Sequence, residues 1–317
     1  MSVSIKLGTR GSPLALAQTT ELRERLIRAH PETGDIIEVV VIRTTGDRIT
    51  DRALAKAGGK GLFTKELDEA LIDRRIDIAV HSAKDLPTIL PGELAIAGYL
   101  PREDVRDALI ALRFGSLATL PLGAHIGTAS VRREAQLKRL RPDLRVSLLR
   151  GNVETRLRKL VEGECDATLL ALAGLKRLGL ADKATQILDT TIFLPAVGQG
   201  AIALVTRRED AAVMARLAPV LDAPTAMALA AERAFLNELD GSCRTPIAGY
   251  AAISGLEGTS LNFRGLALRQ DGTDAVEVVR QGDAQDAARL GADAAAELLA
   301  RLPAGVLVAR ELRARSA

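Results

Sequence analysis

Strand-like and helix-like runs alternate along the first two thirds of the chain, and this alternation restricts the fold more than any other feature. Ile5–Arg10 reads as a strand and Pro13–His30 as a helix with proline in its first turn. Ile36–Arg43 is a β-branched strand, and Thr45–Lys60, rich in glycine, has no firm periodicity. A helix over Phe63–Arg74 and a buried strand over Ile76–Val80 follow. The pattern restarts with strands at Asp107–Leu112, Ala124–Gly127, Arg145–Leu149 and Ala167–Ala171. Helices are expected at Val131–Leu140 and at Asn152–Gly163, with Asn152 as N-cap, and from Gly174 onward. One more strand is expected at Ile202–Thr206. Such alternation predicts parallel β-α units with helices on both faces. After Pro224 the texture changes to a helix (Pro224–Leu239), three strands (Ile247–Ile253, Ser260–Leu268, Ala275–Arg280) and a helix (Ala284–Leu302), a small α+β unit.

With 317 residues, 47% of them hydrophobic, the chain has enough core for two or three domains. Five Phe, two Tyr and no Trp leave few platforms for stacking single-stranded bases. A net charge of +3, from 43 basic and 40 acidic side chains, is too small for a general nucleic-acid or membrane-surface binder. Met1–Gln18 lacks the charged start and apolar run of a secretory signal, and the apolar stretch Ala167–Leu175 is about half a membrane span. Cys165 and Cys243 make no disulfide framework, and three scattered histidines make no metal-ligand pattern. The expectation is a cytoplasmic, metal-free monomer that binds neither nucleic acid nor membrane.

Positive charge collects where strands hand over to helices, the edge at which open α/β sheets bind ligands. Arg10 and Ser12 end the first strand, Lys84 and Asp85 follow the Ile76–Val80 strand, and Arg150 and Arg156 flank the start of a later helix. Lys56 and Lys60 punctuate the glycine-rich run, a candidate lid. Arg132 and Arg133 sit in the first turn of a helix, an unfavourable place for adjacent cations unless an anion compensates them. A weak echo links Leu7-Gly8-Thr9-Arg10-Gly11-Ser12 to Ile126-Gly127-Thr128-Ala129-Ser130, each opening a helix that carries Ala-Gln. The ligand implied is a small polycarboxylate. Asp85 is the acid among these cations, and is either a turn former or a carboxylate aimed at a transient cation. Cys243, beside Arg244 in a Gly-Ser-Cys-Arg-Thr-Pro turn, is a candidate for covalent chemistry.

These stretches resemble the hydroxymethylbilane synthase (porphobilinogen deaminase) family. The residues that carry it are Arg10–Ala15, Thr45–Asp47, Gly58–Phe63, His81–Pro87, Gly127–Arg133, Arg150–Val153, Pro195–Gly200 and the Cys243 turn. The resemblance implies two periplasmic-binding-protein-like α/β lobes with a cleft, over 1–100 with 200–219 and over 101–199, and a small C-terminal α+β domain over 220–317. It implies an enzyme that condenses four porphobilinogen molecules head to tail, with loss of ammonia, on a dipyrromethane cofactor thioether-linked to Cys243. Asp85 is then the catalytic carboxylate. Lys84, Thr128, Ser130, Arg132, Arg133 and Gly200 would surround the cofactor. Arg10, Ser12, Gln18, Lys56, Lys60, Phe63, Arg150, Arg156 and Gln199 would serve the substrate, a pyrrole bearing two carboxylates. Ser242, Ala83 and Ala129 depart from the usual pattern of Gly, a bulkier apolar residue and Ser, and Ala129 removes one hydroxyl donor. A non-catalytic two-lobed anion receptor remains the alternative on fold alone.

Overall fold

The computed structural model describes residues 4–31, 37–45, 64–239, 245–255 and 258–307. Lys56, Lys60, Phe63, Cys243 and the expected lid beyond Thr45 lie outside the described residues. The chain divides into two compact units, Met1–Glu103 with Gly200–Ala226, and Asp104–Gln199 with Met227–Ala317.

The first unit is built on strands β1 (Ile5–Thr9), β2 (Ile37–Val41), β3 (Ile78–Ser82) and β4 (Leu94–Tyr99), together with β10 (Ile202–Arg207). They form one sheet in the order β2-β1-β3-β10-β4. β1 runs parallel to β2 and β3, whereas β10 is antiparallel to β3 and β4. Helices α1 (Pro13–Ala29) and α2 (Lys65–Ile72) belong to this unit, as does α6 (Ala211–Leu217). Its core joins Leu7, Ile78, Val80 and Leu204 of the sheet to Leu22 and Leu26 of α1.

The second unit holds β5 (Asp107–Ala111), β6 (His125–Gly127), β7 (Arg145–Ser147), β8 (Ala167–Ala171) and β9 (Gln186–Ile187), in the order β7-β6-β8-β5-β9. Here β6 is parallel to β7 and β8, and β5 is antiparallel to β8 and β9. The order and the single reversed strand reproduce those of the first sheet, so the echo between the two glycine-threonine runs is structural. Helices α3 (Val131–Leu140), α4 (Val153–Val161) and α5 (Leu172–Arg177) accompany this sheet. Leu109 and Ala111 of β5 enter one apolar cluster while Ala108 and Ile110 enter another. Burial on both faces explains why β5 reads as an unbroken apolar run after its first residue.

Helix α7 (Ala223–Glu238) carries the chain into a three-stranded antiparallel meander, β11 (Ile247–Ser254), β12 (Ser260–Ala267) and β13 (Val276–Asp283), followed by α8 (Ala287–Arg301). Phe235 of α7 stacks at a tilt on Phe263 of β12, with ring centroids 4.9 Å apart. Glu232, fully buried, accepts hydrogen bonds from Ala251 N at 2.9 Å and from Gly198 N at 2.7 Å. It thereby ties the Pro195–Gly200 run to the C-terminal elements.

The fold class is the expected one, two mixed α/β lobes and a small α+β unit, but several elements differ. The lobes are not wholly parallel, because β10 and β5 enter antiparallel. The strand expected at Ile76–Val80 lies two residues later, so His81 and Ser82 belong to it. β4, β9 and α6 are additional elements; β9 is only two residues long, too short for alternation to register.

At Gly291 helix α8 packs directly against the backbone of α7. A Cβ there would lie 2.0 Å from the backbone oxygen of Ala231, which cannot rotate away. Alanine is intrinsically better in a helix by about 1 kcal/mol, but overpacking of this kind costs about 1–3 kcal/mol or more. Gly291→Ala is expected to lower the thermal midpoint; a higher midpoint would show that the helices separate freely.

Candidate functional site

The first unit brings its site residues to the ends of β1 and β3. Ser12 is the N-cap of α1, its Oγ accepting from Ala15 N at 3.3 Å, with Pro13 next in line. No acidic residue occupies the first turn of α1, so its positive end is uncompensated by the helix itself. Arg10 and Ser12 are half-buried in the turn before it. Gln18 is buried, and its Nε2 donates to Ser82 Oγ at 2.9 Å. Gln18 therefore braces β3 against α1, whatever else it touches.

After Ser82 the chain makes a single 3-10 turn, Ala83–Asp85, which leaves Lys84 and Asp85 half-buried. Leu86 is extended, as a residue before proline must be, and the turn stops there. Ala83 N donates to Ala201 O at 3.0 Å, so the turn lies alongside Gly200 and Ala201. Gly200 takes a positive φ of 89°, which a side chain would strain.

In the second unit Ser130 caps α3, its Oγ accepting from Arg133 N at 3.4 Å. Thr128 is buried, and its Oγ1 accepts from Ser130 N at 3.2 Å. Arg150 is half-buried beyond β7, ahead of Gly151 at φ 121° and Asn152, whose Oδ1 caps α4 through Thr155 N at 2.8 Å. Arg156, half-buried, folds back so that its Nε donates to Gly151 O at 2.8 Å.

Arg132 and Arg133 lie deeper than their sequence position suggests. Both are 5% exposed and both reach Asp107, the first residue of β5, which has no exposure at all. Arg132 Nη1 donates to Asp107 Oδ2 at 2.8 Å, and Arg133 Nη2 donates to Oδ1 at 2.6 Å. Gln199, also fully buried, donates from Nε2 to Asp107 Oδ1 at 3.1 Å and to Val105 O at 2.8 Å. Burial works to raise the Asp107 carboxyl, but the fields of Arg132 and Arg133 and their hydrogen bonds overcome it and hold the group well below the usual carboxylate range. Removing one partner of so buried a pair typically costs about 3–5 kcal/mol. The sequence reading missed Asp107; its signal was an aspartate leading an otherwise apolar run.

Two other buried titratable groups belong to the first unit. His81 is 5% exposed, and its Nε2 has no partner among the described residues. Burial and then the charge of Arg10 push its pKa down to about 4, so the imidazole is neutral. Asp68 of α2, 7% exposed, is pushed up to about 6, chiefly by burial. Cys165 is a buried free thiol, raised by its burial, and is structural. No cluster of metal-ligating side chains occurs among the described residues, and none of their helices alone is long and apolar enough to cross a membrane.

A dipyrromethane bears four carboxylates, and the donors present suit such a group in kind. Lys84, Arg150 and Arg156 are half-buried cations, and Ser12 and Ser130 present hydroxyls at helix starts. Among the described residues Arg132 and Arg133 outnumber the one carboxylate they share, which leaves a buried excess of positive charge there. The residues described fit a polyanion.

Asp68 and His81 have opposite effects on stability over the same pH window. Between about pH 4 and 6 the folded state holds a proton on Asp68 that the unfolded chain has released, so this contribution is present at low pH and lost as pH rises through 6. For His81 the unfolded chain takes up the proton, so its contribution is present above about 6.5 and lost as pH falls toward 4. Each slope reaches up to about 1.4 kcal/mol per pH unit. Relative to the parent protein, Asp68→Asn should make urea-unfolding stability climb with pH in this window, and His81→Asn should make it fall. Unchanged slopes in both variants would contradict the assignment.

Comparison with known proteins bears on the same residues. A family model described as porphobilinogen deaminase, dipyromethane cofactor binding domain, matches residues 5–215, and one described as porphobilinogen deaminase, C-terminal domain, matches 226–300. The porphobilinogen deaminase of Nitrobacter hamburgensis is 59% identical over 295 residues, covering 93% of this chain and 92% of the relative. That of Nitrobacter winogradskyi is 58% identical over the same length and coverage. Among solved structures, a putative methionine-binding lipoprotein of Bacillus subtilis is 15% identical with a TM-score of 0.44, covering 69% of this chain and 90% of that one. A periplasmic substrate-binding protein of Coxiella burnetii is 13% identical, also at 0.44, covering 68% and 91%. A structural likeness of that depth carries no functional weight.

Proposed function

We propose, starting from the fact that the chain belongs to the porphobilinogen deaminase family, that Asp85 is the carboxylate at which it does its chemistry. The enzyme is a hydroxymethylbilane synthase: it joins four porphobilinogen molecules head to tail, releasing ammonia at each addition, and hydrolysis frees the linear tetrapyrrole. When bound, the dipyrromethane supplies the pyrrole carbon onto which the chain is built. Cys243 is its anchor, holding the growing product between additions. The three parts of the chain, 1–100 with 200–219, 101–199 and 220–317, divide the work into two carboxylate-binding lobes and an anchoring domain.

The observation that carries the Asp85 assignment is its environment: a half-buried acid on a one-turn helix beside Lys84, at the end of β3, whereas the other candidate ligand groups near strand ends, Arg10, Ser12, Thr128, Ser130 and Arg150, are cations and hydroxyls. Loss of ammonia from porphobilinogen leaves a methylene-pyrrolenine cation, which needs an anion that does not have to be brought up from solvent. Asp85 accepts hydrogen bonds from the pyrrole N–H and offsets that charge. A unit charge about 4 Å away at an effective dielectric near 20 contributes roughly 4 kcal/mol, or about three powers of ten in rate. Arg10, Ser12, Lys84, Arg150 and Arg156 hold acetate and propionate carboxylates through charge-assisted hydrogen bonds, and the charge of Arg132 and Arg133 lies behind Ser130. Each contributes on the order of 1.5–3 kcal/mol, moderate enough for the product to shift as it grows. The chain acts in the cytoplasm, a reading supported by a sequence whose two cysteines make no disulfide framework, and it acts as a monomer, which light scattering at assay concentration tests.

Asp85→Asn is expected to fold, keep its covalent dipyrrole and turn over about a thousandfold more slowly; near-normal turnover would remove Asp85 from this role. Cys243→Ser should lack the dipyrrole mass in intact-protein mass spectrometry and give no Ehrlich colour after denaturation. Persistence of the adduct would place the anchor elsewhere.

A further inference from the structure

We propose that Asp107 and Arg133 form a positioning pair whose task is to aim Arg132 at a carboxylate of the pyrrole chain. The inference deepens the reading above and rests on it. Sequence placed the two arginines as equals, adjacent in the first turn of α3. The structure separates them by what their nitrogens do.

Arg133 is saturated. Its Nε and Nη2 both donate to Asp107 Oδ1, at 3.0 and 2.6 Å, and its Nη1 donates to Leu169 O of β8 at 2.9 Å. Arg132 engages through Nη1 alone, which donates to Asp107 Oδ2 at 2.8 Å and to Leu194 O at 2.7 Å. Its Nε and Nη2 make no hydrogen bond among the described residues. The guanidinium also lies over the ring of Phe193, 5.9 Å from its centroid. Arg133 is thus a strut, and Arg132 is a cation held at one corner with the rest of its fork unused.

The charge balance points the same way. Asp107 is the only carboxylate in ion-pair contact with either guanidinium among the described residues, so one positive charge stays uncompensated in a setting that is 5% exposed. A purely structural pair would need one arginine, since a second buried cation adds desolvation cost without a second acid. The arrangement becomes favourable when an anion completes it. A planar fork with free donors suits a carboxylate, the group that every pyrrole of this substrate carries.

Helix α3 is held rigidly enough for aiming to matter. Gln136 exchanges hydrogen bonds with the backbone of Leu194, at 2.9 and 2.8 Å, next to the carbonyl that Arg132 uses. On the helix's far half, Gly272 of the β12–β13 turn packs so closely that a Cβ would lie 2.5 Å from Arg139 N. Gln270 of the same turn donates to Glu134 Oε2 at 2.8 Å. Asp107 is supported in turn by Gln199.

The test compares Asp107→Asn, Asp107→Glu, Arg133→Lys and Arg132→Lys with the parent enzyme. Each is assayed below its thermal midpoint for KM and kcat, and weighed intact for the covalent dipyrrole. Arg133→Lys keeps the charge but loses the fork to Asp107, so its KM should rise about tenfold, by more than kcat falls. Arg132→Lys should raise KM at least as much while lowering the thermal midpoint less. Asp107→Asn should behave as Arg133→Lys does, with a smaller adduct fraction, and Asp107→Glu should recover part of the loss. If Asp107→Asn does not fold, Arg133→Lys decides alone. A lower thermal midpoint with KM and adduct fraction both within about twofold of the parent would overturn the proposal. So would a larger KM effect at Arg133 than at Arg132. Failure of the underlying reading is distinct: the parent enzyme itself would then carry no dipyrrole and release no tetrapyrrole.

Discussion

The carboxylate of Asp107 has no solvent exposure and meets two guanidinium groups, and the second lobe is arranged around keeping that charge compensated. The acid comes from the first residue of β5 and the cations from the first turn of α3, so sheet and helix are locked in one register. Leu169 O, Leu194 O and Gln199 then take positions that satisfy the remaining donors and acceptors. Buried charge is tolerated only when it is hydrogen-bonded to this extent. Among the described residues the same cluster brings a net cation to the helix end at which Ser130 and Thr128 already sit, so stability and the proposed anion recognition share one set of atoms.

The duplicated sheet order gives each lobe the same device. A strand runs into a glycine-threonine turn, and a serine then caps a helix: Ser12 in one lobe, Ser130 in the other. The lobes differ in how the helix end is charged. The first turn of α1 holds no acidic side chain, and Arg10 stands just outside it; α3 carries its cations within the turn and needs Asp107 to make them tolerable. The repeated topology supplies the same backbone geometry twice, and the side chains placed on it differ.

Two buried titratable groups of the first unit are uncomfortable for the fold. Between about pH 4 and 6 His81 is kept neutral, its Nε2 without a partner among the described residues, and Asp68 is kept protonated, each against its preference in water. Both lie in the unit that carries Asp85. Their opposing proton linkages limit the consequence for stability near neutrality. The cost of a polar interior is spread over two residues that titrate in opposite directions.

Much of the architecture was legible in the amino-acid order, because hydrophobic periodicity and turn chemistry are local properties. The strand-helix alternation, the change of texture near Pro224, the cap at Asn152 and the turn at Asp85 were all readable, as were the strand-end positions of Arg10, Lys84, Arg150 and Arg156. The motifs also sufficed to identify the family. Tertiary structure alone decided which strands reverse, since β5 and β10 obtain their direction from partners far away in sequence. It alone separated Arg132 from Arg133, because Asp107 lies 25 and 26 residues before them and sequence holds no record of that contact. It alone showed that Gln18 and Gln199, expected as ligand contacts, also hydrogen-bond to Ser82 and Asp107. Chain order determines what each residue prefers; only packing determines which buried charges meet and which donors remain for a ligand.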